Sequence, residues 1–323
     1  MYSIRREQYK DEDAVVLQND VLSVAVLPRW GAKIASIFYK PLNRELLWQN
    51  PGKQYRKTTY GDPYEAGEAS GFDEMFPTIS RCYYETDPWA GIEMPDHGEV
   101  WSIPWEYEAT EKELRLSVEG VRFPYVLQKS VYLDESTLFT QYRVVNQSDA
   151  GFDYIWAAHP LFNTSLGMKL IVPPGMRTVV NAVPSSRLGP YGRSYNFPVA
   201  KFGDGHVFDL STVPEKNSGD FQKYWFLGKV TQGWCSLHDQ HEKLNIDLRW
   251  PVEEVPYLGV WVNEGAWAGQ YNIAPEPATG AMDRVDFSKM WGMGSQLGDG
   301  EKKKWWLSIT LREGEELQQS GQA

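Results

Sequence analysis

The sequence is poor in cysteine, in basic charge and in long apolar runs, and each shortage excludes a class of protein. Only two cysteines occur, Cys82 and Cys235, far apart and in no CxxC arrangement, so neither a disulfide framework nor a thiolate metal site is expected. The formal net charge is −11. A nucleic-acid partner requires a basic patch to neutralise phosphates, and an anionic membrane surface is disfavoured for the same reason. No apolar run approaches the length of a membrane span, and the charged stretch 1–13 lacks the apolar segment of a secretory signal. The expectation is a soluble, cytoplasmic protein. There is no GxGxxG, Walker loop, HExxH or GxSxG, which removes nucleotide, zinc-protease and serine-hydrolase readings. His238-Asp239-Gln240-His241 is the one metal-like pattern, and it is read as a hairpin tip because its spacing does not put both rings on one strand face.

What is present is aromatic and strand-like. Fourteen tryptophans and eighteen tyrosines supply core material and flat platforms for a sugar ring. Alternation recurs along the chain: Val21–Leu27, then Lys33–Tyr39 after a Gly31-Ala32 break, Glu99–Thr110, Leu114–Val118, Tyr125–Leu133, Leu138–Val145, Phe152–Ala158 and Met168–Val172. It resumes at Tyr224–Val230, Gly233–Leu237, Leu244–Trp250, Tyr257–Val262 and Trp305–Arg312. Two stretches, Asn50–Ala69 and Pro173–Gly219, are irregular, and a long loop such as the first is usually functional or disordered. No dozen residues show a 3.6-residue period. Strands at spacings of about eight to twelve residues between turn signals predict an all-β sandwich or barrel. Without a composition shift to mark a linker, residues 1–323 are expected to form one domain.

The chain is organised around Ile273-Ala274-Pro275-Glu276-Pro277-Ala278-Thr279-Gly280. Proline fixes its own φ and biases the preceding residue toward extended conformations, so Glu276 is held extended and aimed. Two further stretches put a histidine beside a strand: Pro95-Asp96-His97-Gly98-Glu99 and Ala157-Ala158-His159-Pro160-Leu161-Phe162. Two histidines and one carboxylate form a minimal acid–base set.

These three motifs, in this order and at this wide spacing, resemble those of the aldose 1-epimerase (galactose mutarotase) superfamily, over roughly residues 20–312. The resemblance implies a large antiparallel β-sandwich with its site on the concave face of one sheet. It implies Glu276 as general base, His159 as general acid and His97 as a residue that orients the sugar and supports proton transfer. The residue types suit the chemistry: a base takes the C1 hydroxyl proton, an acid protonates the ring oxygen, the ring opens, C1–C2 rotates, and the ring closes on the other face. Only protons move, so neither metal nor cofactor is called for, and the expected partner is a small-molecule carbohydrate. The chain departs from galactose-specific members where they carry an Asn-Arg pair and this chain has Gly71-Phe72-Asp73-Glu74. Asp73 or Glu74 is therefore a candidate for sugar hydroxyls, with Lys223 reaching a hydroxyl and Trp261 forming an apolar wall. Adjacent strand residues face opposite ways, so at most one of the two acids can face the site.

Neither the identity of the sugar nor an oligomeric state is written in these motifs. A non-catalytic carbohydrate-binding or regulatory protein of the same fold is the alternative, and a glycosidase pairing Glu276 with Asp73 or Glu74 is a third reading. The expected charge state is a Glu276 carboxylate beside a His159 imidazolium. Each would stabilise the other's charge and give a bell-shaped pH profile near neutrality.

Overall fold

The computed structural model describes residues 2–216 and 219–315. The ends of the expected 1–323 domain, and residues 217 and 218 of the irregular stretch, lie outside the described residues. The architecture is two antiparallel sheets of thirteen and eight strands, with three two-stranded ribbons. Among the described residues there is one α-helix, Val285–Met290, which is six residues long. No helix among them is long and apolar enough to cross a membrane. The all-β sandwich expected from the alternation is present.

The smaller sheet shows why alternation was readable. Tyr125–Asp134 and Thr137–Asn146 are ten-residue strands whose burial alternates along their length. They pair from Asp134↔Thr137 outward to Tyr125↔Asn146, and the second pairs with Lys302–Glu313. Leu138, Tyr142, Val144, Trp305, Leu307, Ile309 and Leu311 all face inward. Across the interior they meet the larger sheet: the Trp156 and Trp305 rings lie 5.1 Å apart, and Phe76 meets Tyr125 edge-on at 4.6 Å.

In the larger sheet, the central strands run in the order Phe72–Met75, Ala157–Pro160, Tyr271–Ala278, Tyr257–Glu264 and Phe221–Phe226. The strand carrying Glu276 is therefore interior, flanked on both sides. Both its faces are buried: one covers the sandwich core, and the other is the floor of the site.

Three stretches differ from the sequence expectation. Ser3–Tyr9 and Glu12–Gln18 form an N-terminal hairpin in full register. Its first strand carries Arg5, Arg6, Glu7 and Gln8 on exposed positions, a charged sheet edge that shows no apolar period. Glu99–Thr110 is not one strand. Val100–Ser102 is a 3₁₀ turn, and only Glu106–Ala109 pairs. Pro104 cannot donate to a ladder, and the indoles of Trp101 and Trp105 donate to the Asp96 and Val100 carbonyls instead. Within 173–219, Thr178–Asn181, Ser194–Asn196, Val199–Lys201 and Val207–Asp209 are strands, too short to display a period.

Candidate active site

Register brings the first half of the site together. Glu276 pairs with Gly259, and Ala274 with Trp261. On the next strand, Trp225 pairs with Gly259 and Lys223 with Trp261. Glu276, Gly259 and Trp225 thus form one row across three strands, on one face of the sheet. Gly259 is glycine for a steric reason: a Cβ there would stand 3.0 Å from three Trp225 ring carbons. The indole lies over that vacancy and donates from Nε1 to Asp283 Oδ1 at 2.8 Å. Asp283 in turn lies 3.6 Å from Lys223 Nζ, and Lys223 donates to Glu276 Oε2 in a close ion pair.

The second half comes from the other flank. His159 pairs with Asp73 across the neighbouring strands, and its Nε2 is 3.7 Å from Glu276 Oε1. His97 is on a tight loop in left-handed conformation, φ 57°. The following residue must be glycine, since a Cβ on Gly98 would sit 2.2 Å from the Phe76 carbonyl oxygen. The His97 ring is 5.3 Å from that of His159 and stacks on Tyr64 at 4.0 Å and 7°. Its Nδ1 meets Asp96 Oδ1 at 3.1 Å.

These groups surround an open cavity of about 260 Å³. Glu276, His159, His97, Lys223, Asp283 and Asp96 all line it. Trp261 and Trp267 form an aromatic wall, packed on Phe221 at 5.3 and 5.7 Å, and Trp267 is 40% exposed. The site can exchange protons between a carboxylate, an ammonium and two imidazoles, against an aromatic face suited to the apolar side of a sugar ring.

No family model matches the sequence, and no curated protein matches it. Solved structures do. A galactose mutarotase-like protein from Clostridium acetobutylicum superposes with a TM-score of 0.70 at 13% identity, covering 97% of this chain and 99% of that one. A galactose mutarotase-like protein from Lactobacillus casei gives 0.66 at 19% identity, over 93% and 100%. A galactose mutarotase related enzyme from Lactobacillus acidophilus gives 0.66 at 15%, over 94% and 98%. The chain has the galactose mutarotase-like fold.

Of the residues named from the sequence, Glu276, His159, His97, Lys223 and Trp261 lie around this one cavity. Asp73 and Glu74 do not line the cavity, and both are fully buried. They do point to opposite faces. Glu74 enters the sandwich interior, where it meets Lys129 Nζ at 2.8 Å and accepts from Tyr142 and Trp156 at 2.9 Å each. Asp73 lies beneath the site, paired with Lys33 at 2.8 Å and accepting from the Tyr64 hydroxyl at 2.8 Å. Every lone pair they spend on these partners is withheld from a sugar. The glycosidase reading loses the second carboxylates it named. His241 lies in a hairpin turn, whereas His238 is inside the strand Trp234–Asp239 that leads into it, buried against Asn245 at 3.0 Å.

The expected charge state is also corrected. Burial pushes His159 well below the ordinary histidine value, and the charges of His97, Lys223 and Lys33 push it further. Burial raises the Glu276 carboxyl, and Lys223 only partly restores it. Desolvation outweighs the attraction between the two, so the carboxylate exists where His159 is neutral. Asp96 goes the other way. Burial pushes its carboxyl up, but His97 and the Tyr64 N–H outweigh this and bring it down to about 2.

Tyr64, Asp96, Asp283 and Trp267 belong to the site without having been singled out. Tyr64 lies in the long aperiodic stretch 50–69, whose length was the signal. Asp96 stands next to His97 inside its motif. Asp283 follows the Thr279-Gly280 turn at φ 64°, and nothing in its neighbours marks it.

Proposed function

We propose that the protein is a mutarotase-type isomerase, exchanging the α and β anomers of a free aldose or close derivative. The observation that carries this reading is a carboxylate, Glu276, 1% exposed, at the floor of an aromatic-walled cavity with nitrogen donors on either side. One Glu276 oxygen is held by Lys223, and the other lies toward His159. A carboxylate so placed accepts the C1 hydroxyl proton, and burial strengthens it as a base by raising its proton affinity. Neutral His159, with His97 beside it, presents a ring nitrogen that orients the ring oxygen. Trp261 and Trp267 face the apolar side of the ring. Two buried free thiols, Cys82 and Cys235, fit a reducing cytoplasm.

A binding-only protein is the second reading, and the neutral state of His159 favours it, because an imidazole without its extra proton is a weak acid. NMR measurement of anomer exchange across a panel of aldoses decides between them. Exchange above the spontaneous rate, lost in Glu276→Gln, supports the isomerase. Binding without exchange for every sugar tried supports the alternative.

A further inference from the structure

The proposed reaction needs a proton donor for the ring oxygen, and His159 is poorly built for it. Its Nδ1 is buried without a hydrogen-bond partner among the described residues, so nothing behind the ring stabilises an imidazolium. Productive histidine acids are oriented and charged by a group on the far nitrogen. His97 has such a group in Asp96, and His159 has none. Among the described residues, the one carboxylate near its ring, Glu276 at 3.7 Å, is already engaged by Lys223, and Lys223 and Lys33 both oppose a positive charge on His159.

Lys223 has the opposite setting. Its ammonium lies between two carboxylates, Glu276 two strands away across Tyr257–Glu264 and Asp283 on the loop that follows the Glu276 strand, and over the Trp225 ring at 5.1 Å. The side chain is almost wholly buried yet lines the cavity. The other titratable groups around this end of the cavity are His159 and His97. Resting on the mutarotase reading, we infer that Lys223 is a catalytic residue, the general acid that protonates the ring oxygen, and that Asp283 keeps it charged.

The step balances. Glu276 takes the proton of the C1 hydroxyl, the C1–O1 bond becomes a carbonyl, and the bond between C1 and the ring oxygen breaks. Its electron pair stays on that oxygen, which takes a proton from Lys223 Nζ. The open aldehyde, a protonated Glu276 and a neutral lysine result, and closure after rotation returns both protons. The two transfers are coupled by the geometry. Burial pulls the Lys223 ammonium down, while Asp283 and Glu276 outweigh it and hold it above the ordinary lysine value. Once Glu276 is protonated, one of those two carboxylates is gone, and the buried ammonium releases its proton more readily. The acid is thus strengthened at the moment the base has acted.

The test is the pH dependence of kcat/KM for anomer exchange between pH 5 and 9, spontaneous exchange subtracted, on the best aldose of the panel. The wild type should rise as Glu276 ionises and then stay level to pH 9. Lys223→Arg keeps the positive charge but cannot release a proton in this range, so kcat should fall by about 10²–10⁴ with KM little changed. Asp283→Asn leaves an acceptor for Trp225 but removes one supporting charge, and should bring a falling alkaline limb into the range. A wild-type profile that falls between pH 5 and 7, near-wild-type kcat in Lys223→Arg, or an Asp283→Asn profile identical to wild type would each overturn the assignment. Should Lys223→Arg not fold, the wild-type and Asp283→Asn profiles still decide. Absence of any exchange in the wild type refutes the mutarotase reading itself. Exchange lost in Glu276→Gln but kept in Lys223→Arg refutes only the lysine.

Discussion

Glu74→Gln separates a structural acid from a substrate-binding one. The wild-type carboxylate is buried in the sandwich interior and has three partners: Lys129 Nζ at 2.8 Å, with the Tyr142 hydroxyl and Trp156 Nε1 at 2.9 Å. The amide keeps the shape and one acceptor oxygen but leaves the fully buried Lys129 ammonium without its counter-charge. Removing one partner of a buried ion pair costs about 3–5 kcal/mol, a large part of the 5–15 kcal/mol that holds a typical protein folded. With about 2.1 cal/mol/K of unfolding entropy per residue, a chain of 323 residues has a midpoint entropy of about 0.7 kcal/mol/K, so Tm should fall by about 4–7 °C. Calorimetry on wild type and variant measures this, and sugar KM of the folded variant should match wild type. Adding Lys129→Met should recover much of the loss, since a charge-free pair leaves no buried ammonium. A Glu74→Gln protein with unchanged Tm and a raised KM would refute this reasoning and return Glu74 to the sugar site.

The remaining variants probe the cavity itself. Glu276→Gln should lower anomer exchange by about 10²–10⁴, measured by NMR, with the protein still folded. Gly259→Ala puts a methyl 3.0 Å from the Trp225 ring; displacing the indole should cost about 1–3 kcal/mol and lower kcat through the loosened Asp283. Asp96 has a folded value of about 2 against 3.8 ordinarily, so its contribution is complete above pH 3.8 and lost as pH falls toward 2. Asp96→Asn should therefore destabilise by on the order of 2 kcal/mol at pH 7, a difference from wild type that denaturation at pH 2.5 should find much reduced.

What could be read from the chain divides along physical lines. The sandwich was legible where strands have one wet face, as in Thr137–Asn146, because burial then writes a period of two into the residue types. It was not legible where an edge strand is charged, as at Ser3–Tyr9, or where strands are three residues long. Site positions were legible when backbone chemistry marked them: prolines around Glu276, a glycine after His97 that a carbonyl contact demands.

Charge states were not legible, because they depend on burial and on partners distant in sequence. Lys223 and Glu276 are 53 residues apart, and their contact follows from Lys223↔Trp261 and Gly259↔Glu276 register across three strands. A Glu276 carboxylate and a His159 imidazolium would stabilise each other in an open, wetted cleft, where desolvation costs little. The floor of this cleft is neither: His159 is 5% exposed and Glu276 1%. At that depth an unpaired charge is too costly to keep, so each charge must be matched by an adjacent opposite one. Glu276 finds its match in Lys223, Lys223 has a second in Asp283, and His159 is left neutral. Glu276 thus has an oppositely charged partner, but a lysine from a third strand holds the cationic place that the motifs gave to His159.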